Sequence, residues 1–141
     1  PTRQSIADAI GLTVEDLEQV ELAYAPQFGS AKDAINMVGF VAANVFRGEV
    51  RQVQADGIED SAYLLDVRTP KEFAAGAIPG AVNVPVDALR SHLDTLPRDR
   101  PIVIYCQAGQ RGYQAYRLRD QLGYDVTNLA GGYKTYRMAQ P

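Results

Sequence analysis

The sequence holds one cysteine, one histidine and no tryptophan in 141 residues. A single cysteine forms no internal disulfide, which excludes a small secreted scaffold held by disulfides. One cysteine and one histidine are too few for a zinc finger, a CxxC redox motif or an iron–sulfur site, so no metal site is expected. No apolar run approaches the roughly 20 residues that span a bilayer. No signal-like stretch stands near the start. A cytoplasmic protein without membrane contact is therefore expected, and a net charge of -3 gives no footprint for nucleic acid. What is present is ordinary for a globular chain: 46% hydrophobic and 22% charged residues, in the length of one domain or of one domain with an appendage. The chain opens with Pro1 rather than Met and reads as a piece of a longer protein. Any thiol chemistry falls to Cys106, and any imidazole chemistry to His92.

The charge is uneven. Residues 1–50 carry 3 basic and 7 acidic side chains, and residues 51–141 carry 11 and 10. The second part alternates strand and helix signals. Tyr63–Val67 and Ile102–Tyr105 are short apolar runs that predict buried strands, the latter central. Ala81–Val84 and Asp125–Leu129 predict two more. Pro70 starts a short helix to Ala75, Val86–Leu93 has helical spacing, Arg111–Leu122 predicts a longer helix, and Gly131-Gly132 opens a last one. Strands joined by crossover helices predict a parallel α/β sheet.

The first part is helical. Thr13 with Asp16 and Ser30 with Asp33 resemble capping boxes. The helix predicted over Ala31–Phe46, stopped by Gly48, is apolar on most sides, with Ile35, Met37, Val38, Phe40, Val41, Val45 and Phe46. Such a helix is expected to be covered by a partner or by further domains.

Cys106 follows the IVIY strand and precedes Gln107-Ala108-Gly109-Gln110-Arg111-Gly112, which leads into a helix. Sites in parallel sheets form at strand carboxyl ends. There the helix dipole and inward-turned loop amides favour thiolate over thiol. Gly109 permits the backbone this needs, and Arg111 adds a fixed positive charge. The reading requires a thiol that a substrate reaches and loop amides that face it. His92, in the polar stretch Arg90-Ser91-His92, is expected at the surface, which argues against a Cys–His dyad.

At this point the second part resembles the rhodanese sulfurtransferase family. The resemblance rests on Leu64-Leu65-Asp66-Val67-Arg68, Glu72-Phe73, Gly76-Ala77-Ile78-Pro79-Gly80-Ala81, Asn83-Val84-Pro85, the C-x-x-G-x-R stretch Cys106–Arg111, and Leu129-Ala130-Gly131-Gly132. It covers about residues 50–141. Ala77 stands where the family commonly has His, Tyr136 where it commonly has Trp, and Tyr113 replaces a small residue and is expected to narrow the mouth. The resemblance implies a rhodanese-like parallel sheet flanked by helices on both faces, and sulfur transfer through a persulfide on Cys106. It also implies that the amides of Gln107, Ala108, Gly109, Gln110 and Gly112 bind the substrate, with Arg111 orienting the donor or holding the loop. Asp66 and Arg68 are read as support, Asp66 bonding loop amides and Arg68 pairing with Glu72. The six-residue loop from Cys106 to Arg111 matches sulfurtransferases rather than the related dual-specificity phosphatases, whose loop is one residue longer.

Glu18 to Phe46 resembles the tail of the interface, or dimerisation, domain of flavin-dependent pyridine nucleotide-disulfide reductases, so residues 1–49 are expected to belong to that domain. The coenzyme A-disulfide reductase type is closest, and the likeness rests on Leu22-Ala23-Tyr24-Ala25-Pro26, Ser30-Ala31-Lys32-Asp33 and Asn36-Met37. That resemblance implies a homodimeric parent with missing N-terminal reductase domains, and Tyr24 near a partner's active site. FAD, NAD(P)H and coenzyme A are expected only in the parent, because the glycine fingerprint of dinucleotide sites is absent here. The expected partners of this piece are small sulfur anions and thiols, coenzyme A persulfide among them. Two alternatives stay open. One is a non-catalytic coenzyme A, thiol or sulfur-carrier module, favoured by the 5 basic against 2 acidic residues after Cys106. The other is an interaction domain with a silent cysteine.

Overall fold

The computed structural model describes residues 11–19, 34–120 and 122–140. The expectations for Tyr24, for the Ser30/Asp33 capping box and for the first turn of the helix from Ala31 lie outside these. The chain divides into two compact units, Pro1–Glu49 and Val50–Pro141.

In the first unit, α1 (Val14–Gln19) begins at the capping box read from the sequence. The Thr13 amide donates to Asp16 Oδ2 at 2.8 Å, and the Asp16 amide donates to Thr13 Oγ1 at 3.2 Å. Helix α2 (Ala34–Phe46) crosses α1 at Gly39, where a Cβ would stand 2.7 Å from the Leu17 carbonyl carbon. The glycine is thus a steric requirement of that crossing. Arg47 pairs with Glu18. Ala43 is buried, whereas Met37, Val38, Val41, Val45 and Phe46 are exposed.

The second unit is a five-stranded, all-parallel sheet in the order β1-β5-β4-β2-β3. Its strands are β1 (Gln52–Val53), β2 (Tyr63–Asp66), β3 (Val82–Asn83), β4 (Ile102–Tyr105) and β5 (Val126–Leu129). Its α-helices are α3 (Pro70–Ala74), α4 (Gln110–Asp120) and α5 (Gly132–Ala139). β4 is central, as its unbroken apolar run predicts, because a strand covered on both faces has no polar side to show. Its side chains alternate. Ile102 and Ile104 join a core with Leu65, Leu89, Tyr116 and Val126, while Val103 and Tyr105 join one with Ile78 and Leu129 on the other face. Tyr136 packs against this second core, so the aromatic exchange there is a packing matter.

One expected helix takes a different form. Val86–Thr95 is a 3-10 helix rather than an α-helix. Its apolar residues Val86 and Leu89 are three apart, which suits three residues per turn. Ser91 Oγ and Thr95 Oγ1 donate to the Ala88 and His92 carbonyls three residues back, taking acceptors near an α-helical ladder.

Register sets the site. Asp66 lies level with Tyr105 across β2 and β4, and the Val67 amide donates to the Tyr105 carbonyl at 3.0 Å. The Asp66-Val67-Arg68 segment therefore ends beside Cys106. Because Ile104 is fully buried in the central strand, Ile104→Ala is expected to lower the unfolding free energy by about 2–5 kcal/mol, read from urea denaturation.

Candidate active site

Cys106 stands one residue past the end of β4, and its loop turns directly into α4. The Gly109 amide donates to Cys106 Sγ at 3.1 Å. Gly109 has φ +110°, a conformation that side chains avoid, so the donor depends on glycine at this position. The loop amides expected to face the sulfur are thus represented by one direct hydrogen bond. The thiol is less open than the sequence reading requires. Cys106 is 2% exposed, although Gln107, Ala108 and Gln110 beside it are exposed.

The loop's carbonyls are held from behind. Cys106 C=O accepts from the Tyr133 amide at 2.8 Å, and Gln107 C=O from the Lys134 amide at 3.1 Å. These are donors of the first turn of α5, which have no partner within their own helix. Their approach requires Gly132. At φ +62° a Cβ there would lie 2.3 Å from the Cys106 carbonyl oxygen. The Gly109 carbonyl accepts from the Tyr113 amide at 2.8 Å. With the Cys106 and Gln107 carbonyls turned to α5, the N–H groups that share their peptide planes, those of Gln107 and Ala108, point away from that helix. Gly112 is buried, and a Cβ on it would meet Asn128 Oδ1 at 2.5 Å. Its glycine is thus explained by the close approach of α4 to β5. Tyr113 packs against the core cluster of Leu65 and Ile104.

The support expected from Asp66 and Arg68 is differently wired. Arg68 pairs with Asp66, not with Glu72: Nε donates to both carboxylate oxygens at 3.0 Å, and Nη2 to Oδ2 at 2.6 Å. The chain bends at Arg68, just past the end of β2, in a turn closed by the Arg68 amide on the Asp66 carboxylate, which brings the two side chains together, whereas Glu72 sits in the first turn of the following helix. Asp66 accepts the Arg68 amide at 2.9 Å, and this rather than an amide of the cysteine loop is its main-chain partner. Both side chains are buried, at 0% and 2% exposure. Burial lowers the proton affinity of Arg68, but its bonds to Asp66 outweigh this and raise it overall. The guanidinium also lies over the Tyr133 ring, 4.1 Å from its centroid.

Glu72 instead takes Arg111 in a two-pronged pair, at 2.8 Å from Nη1 and 2.7 Å from Nη2. The same carboxylate closes the capping box of α3 by accepting from the Thr69 amide at 2.9 Å. Arg111 therefore ties the cysteine loop to α3. The Arg111 bonds first, and the Thr69 donors after them, hold the Glu72 carboxyl well below its usual range. Glu72, and with Cys106 a smaller contribution, hold the Arg111 guanidinium above its own. Neither Glu72 nor the α5 donors were read as site residues from the sequence. The Thr69-Pro70-Lys71-Glu72 capping pattern and the Gly131-Gly132 pair were the signals present. His92 is exposed, with Nδ1 2.9 Å from the Ala88 carbonyl oxygen. Among the described residues, no group of His, Cys, Asp and Glu is arranged to hold a metal, and no helix is long and apolar enough to cross a membrane.

A parallel sheet with a cysteine at the carboxyl end of its central strand, in a glycine loop leading into a helix, defines an α/β domain with its one thiol at a strand-to-helix turn. The chain belongs to the rhodanese-like domain family, which matches residues 49–139, and it is a sulfurtransferase domain. It is 43% identical over 74 residues to a sulfurtransferase of Allochromatium vinosum, covering 52% of this chain and 69% of that protein. It is 39% identical over 110 residues to the thiosulfate:glutathione sulfurtransferase of Homo sapiens, covering 67% of this chain and 93% of that protein. Among solved structures, the reduced CoADR-RHD protein of Bacillus anthracis superposes with a TM-score of 0.89 at 46% identity, over 94% of this chain. The NAD-dependent persulfide reductase of A. fulgidus gives 0.80 at 32% identity, over 92%. This chain spans 25% and 24% of those two proteins.

Two outcomes are expected. Gly132→Ala drives a methyl group into the Cys106 carbonyl and should lower stability by about 1–3 kcal/mol, while slowing alkylation of Cys106 by iodoacetamide. The Glu72–Arg111 pair contributes stability that is fully present above the ordinary glutamate range and is lost as pH falls below it, because the folded carboxyl binds its proton less readily than the unfolded one. Unfolding free energies of the wild type and Glu72→Gln should differ by about 1 kcal/mol near neutral pH and converge toward about pH 3.

Proposed function

We propose that this chain carries sulfane sulfur on Cys106, taking it from thiosulfate, a polysulfide or a persulfide and delivering it to a thiol. The Cys106 thiolate attacks the outer sulfur of the donor. A bond forms between Cys106 Sγ and that sulfur, the donor's sulfur–sulfur bond breaks, and sulfite or a thiolate leaves with the electron pair. An acceptor thiolate then attacks the outer sulfur of the Cys106 persulfide and restores the Cys106 thiolate. The observation that carries this reading is the Gly109 amide donating to Sγ from a loop whose Cys106 and Gln107 carbonyls are bound by the start of α5. Such fixed main-chain donors stabilise charge on sulfur without having to reorganise. Arg111, engaged by Glu72, ties the cysteine loop to α3 and so holds its backbone in place.

We infer a longer parent as well. The likeness to two proteins about four times this length favours a role in feeding persulfide to a flavin- and NAD(P)H-dependent disulfide or persulfide reductase. In this reading residues 1–49 belong to its dimerisation domain, and coenzyme A is the thiol it handles. The residues present do not fit FAD or a nicotinamide cofactor. No two glycines of the chain stand in G-x-G spacing, and the tight strand-to-helix loop after the central strand is taken by Cys106. Those cofactors would bind elsewhere in the parent.

Intact-mass measurement after exposure to thiosulfate or polysulfide should show the wild type gaining one sulfur atom and Cys106→Ser gaining none. A wild type that stays unmodified with every donor overturns the reading. If it then still binds coenzyme A, the carrier alternative replaces it.

A further inference from the structure

Gln107 follows the nucleophile in sequence and is exposed, yet its conformation is fixed at two points. Its main-chain carbonyl accepts from Lys134, and its side-chain Oε1 accepts from Arg68 Nη1 at 3.2 Å. A guanidinium only donates, so the bond determines which end of the amide faces Arg68. Oε1 points to the arginine, and the NH₂ group points away from it. Arg68 is itself immobilised by Asp66, by the Gly76 carbonyl that accepts from Nη2 at 2.8 Å, and by the Tyr133 ring. Both acceptors of Gln107 are thus occupied. Among the described residues, neither its main-chain N–H nor its side-chain NH₂ has a protein partner.

We propose that the Gln107 side-chain amide is a specificity-determining donor for an oxygen acceptor bonded next to the sulfane sulfur, as in the sulfonate of thiosulfate, and that Arg68 is its positioning residue. The inference rests on the reading that Cys106 takes sulfane sulfur. In the transfer, Cys106 Sγ bonds to the outer sulfur of thiosulfate while the sulfur–sulfur bond breaks, and sulfite departs with the electron pair. Negative charge grows on the sulfonate oxygens as it leaves. A pre-oriented amide donor at the rim serves that charge better than one free to rotate. Inorganic polysulfide offers outer sulfur without any oxygen and gains nothing from the same donor.

The test compares thiosulfate with inorganic polysulfide as donors, glutathione being the acceptor, in the wild type, Gln107→Met and Arg68→Lys. Gln107→Met keeps the length of the exposed side chain and removes the amide. Arg68→Lys keeps a cation for Asp66 and removes the fork that reaches Gln107. In both variants kcat/KM for thiosulfate should fall roughly three- to tenfold, the worth of one hydrogen bond, with polysulfide turnover within about twofold of wild type. Equal losses with both donors, or no loss with thiosulfate, overturn the proposal. Should Arg68→Lys fail to fold, Gln107→Met alone decides. Absence of sulfur transfer from either donor in the wild type instead overturns the underlying reading, and this one with it.

Discussion

The site depends on one main-chain contact, the first turn of α5 lying against the carbonyls of Cys106 and Gln107. A helix start has N–H groups with no partners of their own, and a sharp loop after a strand has carbonyls in the same need. Here each satisfies the other, at 2.8 and 3.1 Å. The contact is close enough that only glycine fits at position 132. Because a peptide's N–H and C=O point in opposite directions, fixing these two carbonyls toward α5 also fixes the amides of Gln107 and Ala108, which point away from that helix. The backbone at the start of the cysteine loop is thus held by a helix that begins some 25 residues later in the chain.

Two ion pairs hold this arrangement, and they differ in kind. Asp66–Arg68 is buried on both sides, so loss of either partner leaves an uncompensated charge, a cost of about 3–5 kcal/mol. It is framework, and it fixes the Gln107 side chain. Glu72–Arg111 is about one-third exposed on each side, worth nearer 1 kcal/mol. Its value is geometric. It joins the start of α4 to the start of α3.

The sheet was legible in the sequence because its signals are local. The IVIY run, the YLLD run and the glycines after them mark strands and turns by composition alone, and the central place of β4 follows from its lack of any polar face. The cysteine loop was legible for the same reason. The partners of Arg68 and Glu72 were not. Sequence distance suggests Arg68 with Glu72, four apart, as a helix would pair them. The turn at Asp66–Arg68 sets the pairing instead, and Glu72 meets Arg111 only after the sheet brings positions 39 residues apart together. The role of Gly132 was equally hidden, since nothing near it in sequence names the carbonyl it must clear. The 3-10 form of Val86–Thr95 was not legible, because apolar spacing over so few turns does not separate three residues per turn from 3.6.

The excess of basic residues after Cys106 suggested from composition that side-chain charge would draw anionic ligands to the site. The wiring points to a different source of attraction. Arg111 is matched by Glu72, and Arg68 by Asp66, so the two arginines nearest the loop arrive already neutralised by partners. What remains at the rim are polar donors without net charge: the amides of the loop, backed by the dipole of α4, and the Gln107 NH₂. Donors of this kind act over a hydrogen-bond length, whereas a free cation acts over a Debye length of about 8 Å at physiological salt. A site built this way selects by the position of acceptor atoms around the sulfur. Total ligand charge counts for less, and sulfur donors that differ little in charge can then be told apart by where their oxygens lie.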